Sequence, residues 1–249
     1  MENNVVHLSF IDNAIAVVAM EDKQSKNTFS PALTQGLQQA FDEIGNNNDV
    51  KVVVLHGYDN YFCCGGTQEE LLQLTEGKIT FADLPFYRLL LDCKLPVIAA
   101  MQGHAIGAGL VFGCFADILV MAEEAFYNAV FMKYGFTPGF GATYILPKRF
   151  GSSVANMMMY GAQNIQGSQL RQCGVSAVFA KREQVITTAI NLAKSFCDKP
   201  QISLLLLKEQ LTAIDKENLP SYIEQELAMH KETFVLPEVK QHIQQLFGQ

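Results

Sequence analysis

The chain has 249 residues, 49% of them hydrophobic and 17% charged, enough apolar side chain to bury a large core in one large domain or a domain with an appendage. Its net charge of −7, with no stripe of Lys and Arg, argues against a nucleic-acid partner, because binding by counterion release needs clustered positive charge. Six cysteines, at positions 63, 64, 93, 114, 173 and 197, show neither C-x-x-C nor Cys/His spacing, so neither a metal site nor a disulfide framework is expected.

Met1 to Phe10 contains no basic segment followed by an apolar run, so no leader peptide is read and a cytoplasmic protein is expected. Val5–Phe10 and Ala14–Met20 have the composition of two strands joined by a turn at Asp12-Asn13, with a polar loop from Glu21 to Thr28 behind them. Ser30-Pro31 places a capping hydroxyl and a proline at a helix start. Leu33, Leu37, Phe41 and Ile44 give that helix one apolar face, until Asn46-Asn47-Asn48 stops it. A strand over Val52–Leu55 runs to the glycine turn Phe62-Cys63-Cys64-Gly65-Gly66, and a helix from Gln68 to about Leu74 follows. Residues 77–85 are the least regular stretch and read as a mobile loop.

A second round begins at Leu89. Pro96 leads into a strand over Val97–Ala100, and the turn from Gly103 to Gly109 opens an apolar helix at Leu110. Gln102, His104, Asp117 and four glycines interrupt the run from Val97 to Met121, so no membrane span is expected. Asp117–Met121 and Ala125–Val130 read as strands, Gly135–Gly141 as a third glycine-rich loop, and Ala142–Leu146 as a helix. From Ser152 the chain reads as helical except near Ser176–Phe179, with breaks at Gly161, Gly167 and Pro200. The strand, strand, helix recurrence predicts an α/β spiral of ββα turns rather than a doubly wound sheet. No G-x-G-x-x-G follows the first strand and no G-x-x-x-x-G-K-[ST] occurs, so neither a dinucleotide nor a nucleoside triphosphate site is indicated.

Two of the glycine turns leave directly from apolar runs, and glycine lets a backbone approach a ligand closely. If each turn opens a helix, its first N–H groups are unpaired and point outward. Two such turns converging would aim two donors at one carbonyl oxygen and stabilise an enolate formed there. Close packing of strand on helix is the plainer use of the same glycines. Cys63 and Cys64 suit a buried strand end better than a nucleophile, since the nearest histidine, His56, shows no recognisable spacing to them.

Four motifs in order make the chain resemble the crotonase (enoyl-CoA hydratase/isomerase) superfamily over nearly its whole length. They are Tyr61-Phe62-Cys63-Cys64-Gly65-Gly66-Thr67; Pro96-Val97-Ile98-Ala99-Ala100 with Gly103-His104-Ala105-Ile106-Gly107-Ala108-Gly109; Ala116-Asp117-Ile118; and Gly135-Phe136-Thr137-Pro138-Gly139-Phe140-Gly141. The resemblance implies a ββα spiral core over residues 1–190 with a thioester pocket, and a helical region over 191–249 that assembles trimers or dimers of trimers. It also implies that the oxyanion amides are those of Gly66 and Ala108, with Gly65, Gly107, Val111, Phe131 and Tyr87 at the substrate. Tyr87 and Tyr134 are candidates to offer a hydroxyl, although packed aromatic rings are the commoner use of tyrosine. Ser25 and Lys26 fall where the family holds the nucleotide end of coenzyme A, and His104 reads as structural. No metal and no cofactor is expected beyond the phosphopantetheine arm, of acyl carrier protein or coenzyme A, that carries the substrate.

Hydratases of the superfamily carry glutamates at two positions that here are Val111 and Phe131, side chains that exchange no proton. The expected cavity is therefore apolar, with no carboxyl group to activate water. Loss of CO2 from the γ carbon of an enoyl thioester needs no base, only a place for the dienolate charge and a proton donor. His230 is the candidate donor, because Ile223, Leu227, His230 and Phe234 share one apolar helix stripe that turns the imidazole inward. The segments Gly57–Phe62, Gly65–Glu69, Phe131–Gly139, Glu224–Leu227 and Met229-His230 resemble the decarboxylases of polyketide β-branching cassettes, which act on 3-methylglutaconyl groups on acyl carrier protein. In that subgroup the functional histidine falls on His230, and a lysine ahead of phenylalanine falls on Thr80, which leaves Lys78, the nearest lysine, as the second catalytic candidate, to pair with the leaving carboxylate or lend a proton; a solvated loop lysine is the plainer reading. The alternatives are an enoyl thioester isomerase with His230 as base and a non-catalytic carrier-protein-binding subunit. An acidic carrier protein would need a local basic patch, for which Lys148-Arg149 and Lys181-Arg182 are candidates.

Overall fold

A computed structural model describes residues 5–81 and 85–248. The parts of the leader and loop readings that fall on residues 1–4 and 82–84 lie outside the described residues. The first strands of successive rounds build one sheet and the second strands build another. β1 (Val6–Ile11) and β2 (Ile15–Met20) form the expected hairpin, with Asp12 and Asn13 at φ 50° and 55° in the left-handed region that short polar side chains tolerate. β2, β3 (Val52–His56), β5 (Val97–Met101), β7 (Ile118–Ala122) and β10 (Val178–Ala180) then pair in parallel, in the order β1-β2-β3-β5-β7-β10.

β3 and β5 read as unbroken apolar runs because a parallel strand inside a sheet is covered on both faces. Val52 to Leu55 and Val97 to Met101 are all fully buried, and each Val, Leu, Ile or Met there contributes roughly 1.5–3 kcal/mol by its burial. α1 (Pro31–Gly45) packs on β1 and β2 through Leu33, Leu37, Phe41 and Ile44, and the Ser30 hydroxyl caps it by accepting the Leu33 N–H at 3.2 Å. α8 (Arg182–Cys197) packs against β3, β5 and β7, so the division expected at residue 190 falls inside a helix that covers the main sheet.

The second sheet holds β4 (Tyr61–Cys63), β6 (His104–Ile106), β8 (Phe126–Asn128) and β9 (Ile165–Gln166) in that order, the first three parallel and β9 antiparallel. β4, β6 and β9 correct the sequence reading, which absorbed them into glycine turns and helical stretches. Strands of two or three residues are too short for any alternation to register. The helix expected at Leu110 starts two residues earlier, as α4 (Ala108–Cys114), and a 3-10 helix over Val130–Lys133 takes the end of the strand expected at 125–130. α9 (Gln201–Thr233) runs through Pro220 without ending and packs on α5 (Ala142–Phe150), while α10 (Pro237–Leu246) packs on α2 (Gln68–Thr75).

Candidate active site

β4 and β6 are parallel neighbours, with Tyr61 opposite His104 and Cys63 opposite Ala105, so the two glycine turns leave one end of the second sheet side by side. Gly65, at φ +79°, lies so close to the second turn that an added Cβ would stand 2.9 Å from the Ile106 carbonyl oxygen and 3.1 Å from the Ala108 nitrogen. The Gly65 carbonyl accepts the Phe29 N–H at 2.7 Å, and Gly107, at φ +56°, donates its N–H to the Asn128 carbonyl at 2.7 Å before α4 begins. Those bonds fix the two peptides on either side of the gap. The Gly66 and Ala108 amides find no acceptor among the described residues, and both residues line a cavity of 810 Å³.

The cavity wall is rich in aromatic side chains, Phe29, Phe81, Phe86, Phe131, Phe136 and Phe140 among them, and it also holds Lys133. Ser25 and Lys26 line it together with exposed Gln24, Gln163 and Asn164, which mark the mouth. His104 is also in the wall. Its Nδ1 accepts the Phe126 N–H at 2.9 Å, which leaves the ring proton on Nε2, and burial holds its pKa below the ordinary value with Arg182 acting in the same direction. Cys64 lines the cavity with a thiol that burial pushes up to about 11, and burial raises the Cys63 thiol further, so neither is an activated nucleophile.

One expectation about the wall needs correction, because it does contain a carboxyl group. Glu70 lines the cavity, and an added Cβ on Gly66 would stand 3.8 Å from its Oε2. That oxygen accepts the Thr67 N–H at 2.9 Å and the Thr67 hydroxyl at 3.1 Å, the capping box that starts α2. The Thr-x-x-Glu spacing was present in the sequence, but spacing alone gives no sign that the cap faces the cavity.

Gly65, Gly66, Gly107, Ala108 and Phe131 come together around the cavity, and Tyr134 joins them. Val111 is fully buried and outside the lining residues, and Tyr87 packs its ring on Phe115 and Phe140 behind the wall. The structure does not bring Lys78 to the site: its side chain is 66% exposed and pairs with Glu76 at 2.8 Å, because Glu76 already ties that loop to Lys240 of α10. Of the basic pairs, Lys148 bonds to Asp215 and Arg149 is spent on the Cys114 and Ala116 carbonyls. Arg182 bonds to Asn60, the neighbour of cavity-lining Tyr61.

His230 is 7% exposed, as the stripe predicts, and packs against the cavity-lining Phe81 with ring centroids 4.9 Å apart. Its Nε2 lies 3.0 Å from the Thr137 carbonyl oxygen and 3.1 Å from that of Pro138. Carbonyl oxygens only accept, so Nε2 carries the hydrogen, and Nδ1 is buried without a partner among the described residues. Burial lowers the imidazole pKa, and the two bonds to carbonyls oppose that shift.

Sequence reasoning missed two buried charged groups. Lys208 donates to the Leu90 carbonyl at 3.2 Å and to Asp117 Oδ2 at 2.6 Å, and the same Oδ2 accepts the Val97 N–H where β5 begins. Glu226 of α9 accepts from Gly141 and Thr143 in the third glycine loop and the first turn of α5. Both sit on helix faces where a lone charge in a sequence ordinarily signifies solvent. Among the described residues no cluster of three or more His, Cys, Asp or Glu has the arrangement to hold a metal ion, and no helix is long and apolar enough to cross a membrane.

The sequence model of enoyl-CoA hydratase/isomerase matches residues 11–247. The chain belongs to the enoyl-CoA hydratase/isomerase family. Within that family it is 48% identical over 248 residues to the bacillaene synthase decarboxylase PksI of Bacillus subtilis, a match that covers both chains completely. A solved structure from a dehydratase/decarboxylase enzyme couple involved in polyketide β-branching superposes with a TM-score of 0.97 at 48% identity, covering 98% of this chain and 100% of that one. The decarboxylase domain of CurF from Lyngbya majuscula superposes with a TM-score of 0.94 at 39% identity, over 98% of this chain and all of that domain. These family members carry the ββα spiral described here.

Proposed function

We propose that the chain decarboxylates a γ-carboxylated enoyl thioester, of the 3-methylglutaconyl type, carried on the phosphopantetheine arm of an acyl carrier protein. The observation that carries this reading is that Gly66 and Ala108, whose amides have no acceptor among the described residues, line one cavity rich in aromatic side chains. The names of PksI and the CurF domain, both decarboxylases, support it.

In the reaction the bond between the γ carbon and the carboxylate breaks, CO2 leaves, and the electron pair passes through the double bond to the thioester oxygen. The two amides meet the charge where it develops, and each such donor is worth about 2.7–4 kcal/mol in the transition state. His230 first takes up a proton from water on Nδ1, the ring nitrogen left without a partner, then passes it to the dienolate carbon and returns to the neutral ring with its hydrogen on Nε2. Phe81 packs on the imidazole, so that transfer requires its ring to turn aside. The aromatic rings of the wall offer water no hydrogen-bond partner, and Lys78 has no part in this reading.

The acidic carrier protein would dock at the mouth, where Lys26 lines the cavity and Arg182 sits beside Tyr61 through Asn60. A homotrimer, or a pair of trimers, in the cytoplasm is the assembly we propose. Ile202, Leu206, Leu207, Leu211 and Ile214 on α9 are each more than half exposed, a face that other copies of the chain would cover.

The Glu70 carboxylate favours a second reading, double-bond isomerisation with Glu70 as the base. Incubation with 3-methylglutaconyl-acyl carrier protein in deuterated water, followed by mass spectrometry of the acyl arm, separates the two. Loss of CO2 with uptake of one deuteron is expected; deuterium exchange without loss of CO2 gives the second reading, and an unchanged arm refutes both.

A further inference from the structure

The third glycine loop is held to α9 by side chains on successive turns of that helix. Glu226 takes the Gly141 N–H at 2.7 Å on Oε2, and the Thr143 N–H at 2.9 Å and hydroxyl at 2.6 Å on Oε1. One turn on, His230 Nε2 donates to the Thr137 and Pro138 carbonyls, and Thr233 Oγ1 lies 3.2 Å from the Thr137 hydroxyl. Glu226 is 1% exposed, and its three donors are all protein groups at the start of α5, so nothing remains for substrate. Its negative charge sits favourably on that helix N-terminus.

Only Gly139 and Phe140 separate the carbonyls on His230 from the first amide on Glu226. The backbone there runs directly against the imidazole, since an added Cβ on Gly139 would stand 2.7 Å from His230 Cε1 and 2.9 Å from the Phe81 ring. Gly141 is confined from the other side: it has φ +79°, and an added Cβ would meet Leu219 Cδ1 at 2.6 Å. Hydrogen bonds at 3.0 and 3.1 Å fail once the loop slides by a few tenths of an ångström to beyond ~3.5 Å. The loop is therefore a short strut whose far end is fixed by Glu226.

We propose that Glu226 is a positioning residue for His230: by pinning Gly141 and Thr143 to α9 it keeps the Thr137 and Pro138 carbonyls on Nε2, so the imidazole presents Nδ1 as its exchangeable nitrogen. The inference rests on the decarboxylase reading for what Nδ1 does, but not for how the ring is held.

The test is 15N-histidine NMR on the full-length protein, with steady-state kinetics on 3-methylglutaconyl-acyl carrier protein, for wild type and Glu226→Gln. The glutamine keeps the size but turns an NH2 group toward backbone N–H donors. In wild type the His230 resonances should report hydrogen on Nε2 and a bare Nδ1. In Glu226→Gln they should shift to a mixture of tautomers, with kcat down roughly 10- to 100-fold and KM within about twofold. A folded Glu226→Gln with the wild-type tautomer and kcat overturns the proposal, whatever its Tm. So does wild-type protein with hydrogen on Nδ1 and a bare Nε2, a result that needs no variant to fold. If wild type releases no CO2 yet the tautomer shifts in Glu226→Gln, the activity reading falls and the positioning role stands.

Discussion

Replacing Gly65 by alanine asks whether the two glycine turns form a single oxyanion hole. At φ +79° a side chain adds strain of roughly 1–2 kcal/mol. The new Cβ would lie 2.9 Å from the Ile106 carbonyl oxygen, 3.1 Å from the Ala108 nitrogen and 3.3 Å from the Gly109 nitrogen. All three are backbone atoms, which cannot swing away as a side chain does, so the turn or the start of α4 must move by a few tenths of an ångström. Gly66 is the next residue and Ala108 is itself displaced, so both amides lose their aim together. Loss of one such donor lowers kcat by about 10²–10³-fold, the equivalent of roughly 2.7–4 kcal/mol. The strain alone lowers Tm by only a few degrees, since about 1 kcal/mol moves Tm by roughly 2–4 °C in a chain of this size. Release of CO2 from 3-methylglutaconyl-acyl carrier protein, with kcat and KM separated and Tm read in parallel, makes the comparison. A folded Gly65→Ala protein that keeps kcat within twofold would show that these turns do not hold the reacting oxygen.

The other expectations concern the wall, the imidazole and the assembly. His230→Ala should lower kcat by roughly 10²–10⁴-fold with KM little changed, and kcat near wild type would remove His230 as the proton donor. Burial holds the His230 pKa below its ordinary 6.5, so the unfolded chain takes up its proton first as pH falls. Wild type should therefore lose stability relative to His230→Gln below about pH 6.5, the difference levelling off below the native pKa; denaturant midpoints from pH 8 to 4.5 that run parallel would contradict this. Glu70→Gln weakens the α2 capping box by about 0.5–2 kcal/mol and should lower kcat less than tenfold; a loss as large as that of Gly65→Ala would favour isomerisation. Leu207→Glu with Leu211→Glu should shift the mass measured by light scattering toward the monomer, and an unchanged mass would place the interface elsewhere.

Much of the fold was legible because strong local signals coincide with tertiary structure. The Ser30-Pro31 start and the stripe Leu33, Leu37, Phe41, Ile44 became α1 as spaced, and the apolar runs at 52–55 and 97–100 became central parallel strands. The same logic placed His230 inside, but spacing has no information on which ring nitrogen meets a carbonyl. β4, β6 and β9 were lost because their pairing partners, not their own residues, make them strands. Glu70 and Glu226 were missed for a related reason. A glutamate is read as solvated until the donors it meets are known, and here those donors are Thr67 on the same turn and Gly141 and Thr143, more than eighty residues away in the chain. Lys78 was the reverse case, a residue near the motif in sequence that Glu76 holds outside.

The two departures from a hydratase have different structural meanings, and together they account for the proposed chemistry. Phe131 is in the cavity wall, edge-on to Phe136 at 6.1 Å, so an aromatic ring occupies the place of a proton carrier. Val111 is sealed in the core on α4, and its side chain has no polar atom to offer an ordered water. A held water needs two to four polar partners. Glu70 alone offers one carboxylate, with Oε2 already given to Thr67. A substrate carboxylate brought against the aromatic part of these walls loses solvation, whereas CO2 leaves without charge. In the proposed reaction the charge ends on the thioester oxygen, beside the two amides that have no acceptor among the described residues. The substitutions that withdraw the means of adding water thus leave the route that moves charge from an apolar wall to the Gly66 and Ala108 N–H groups.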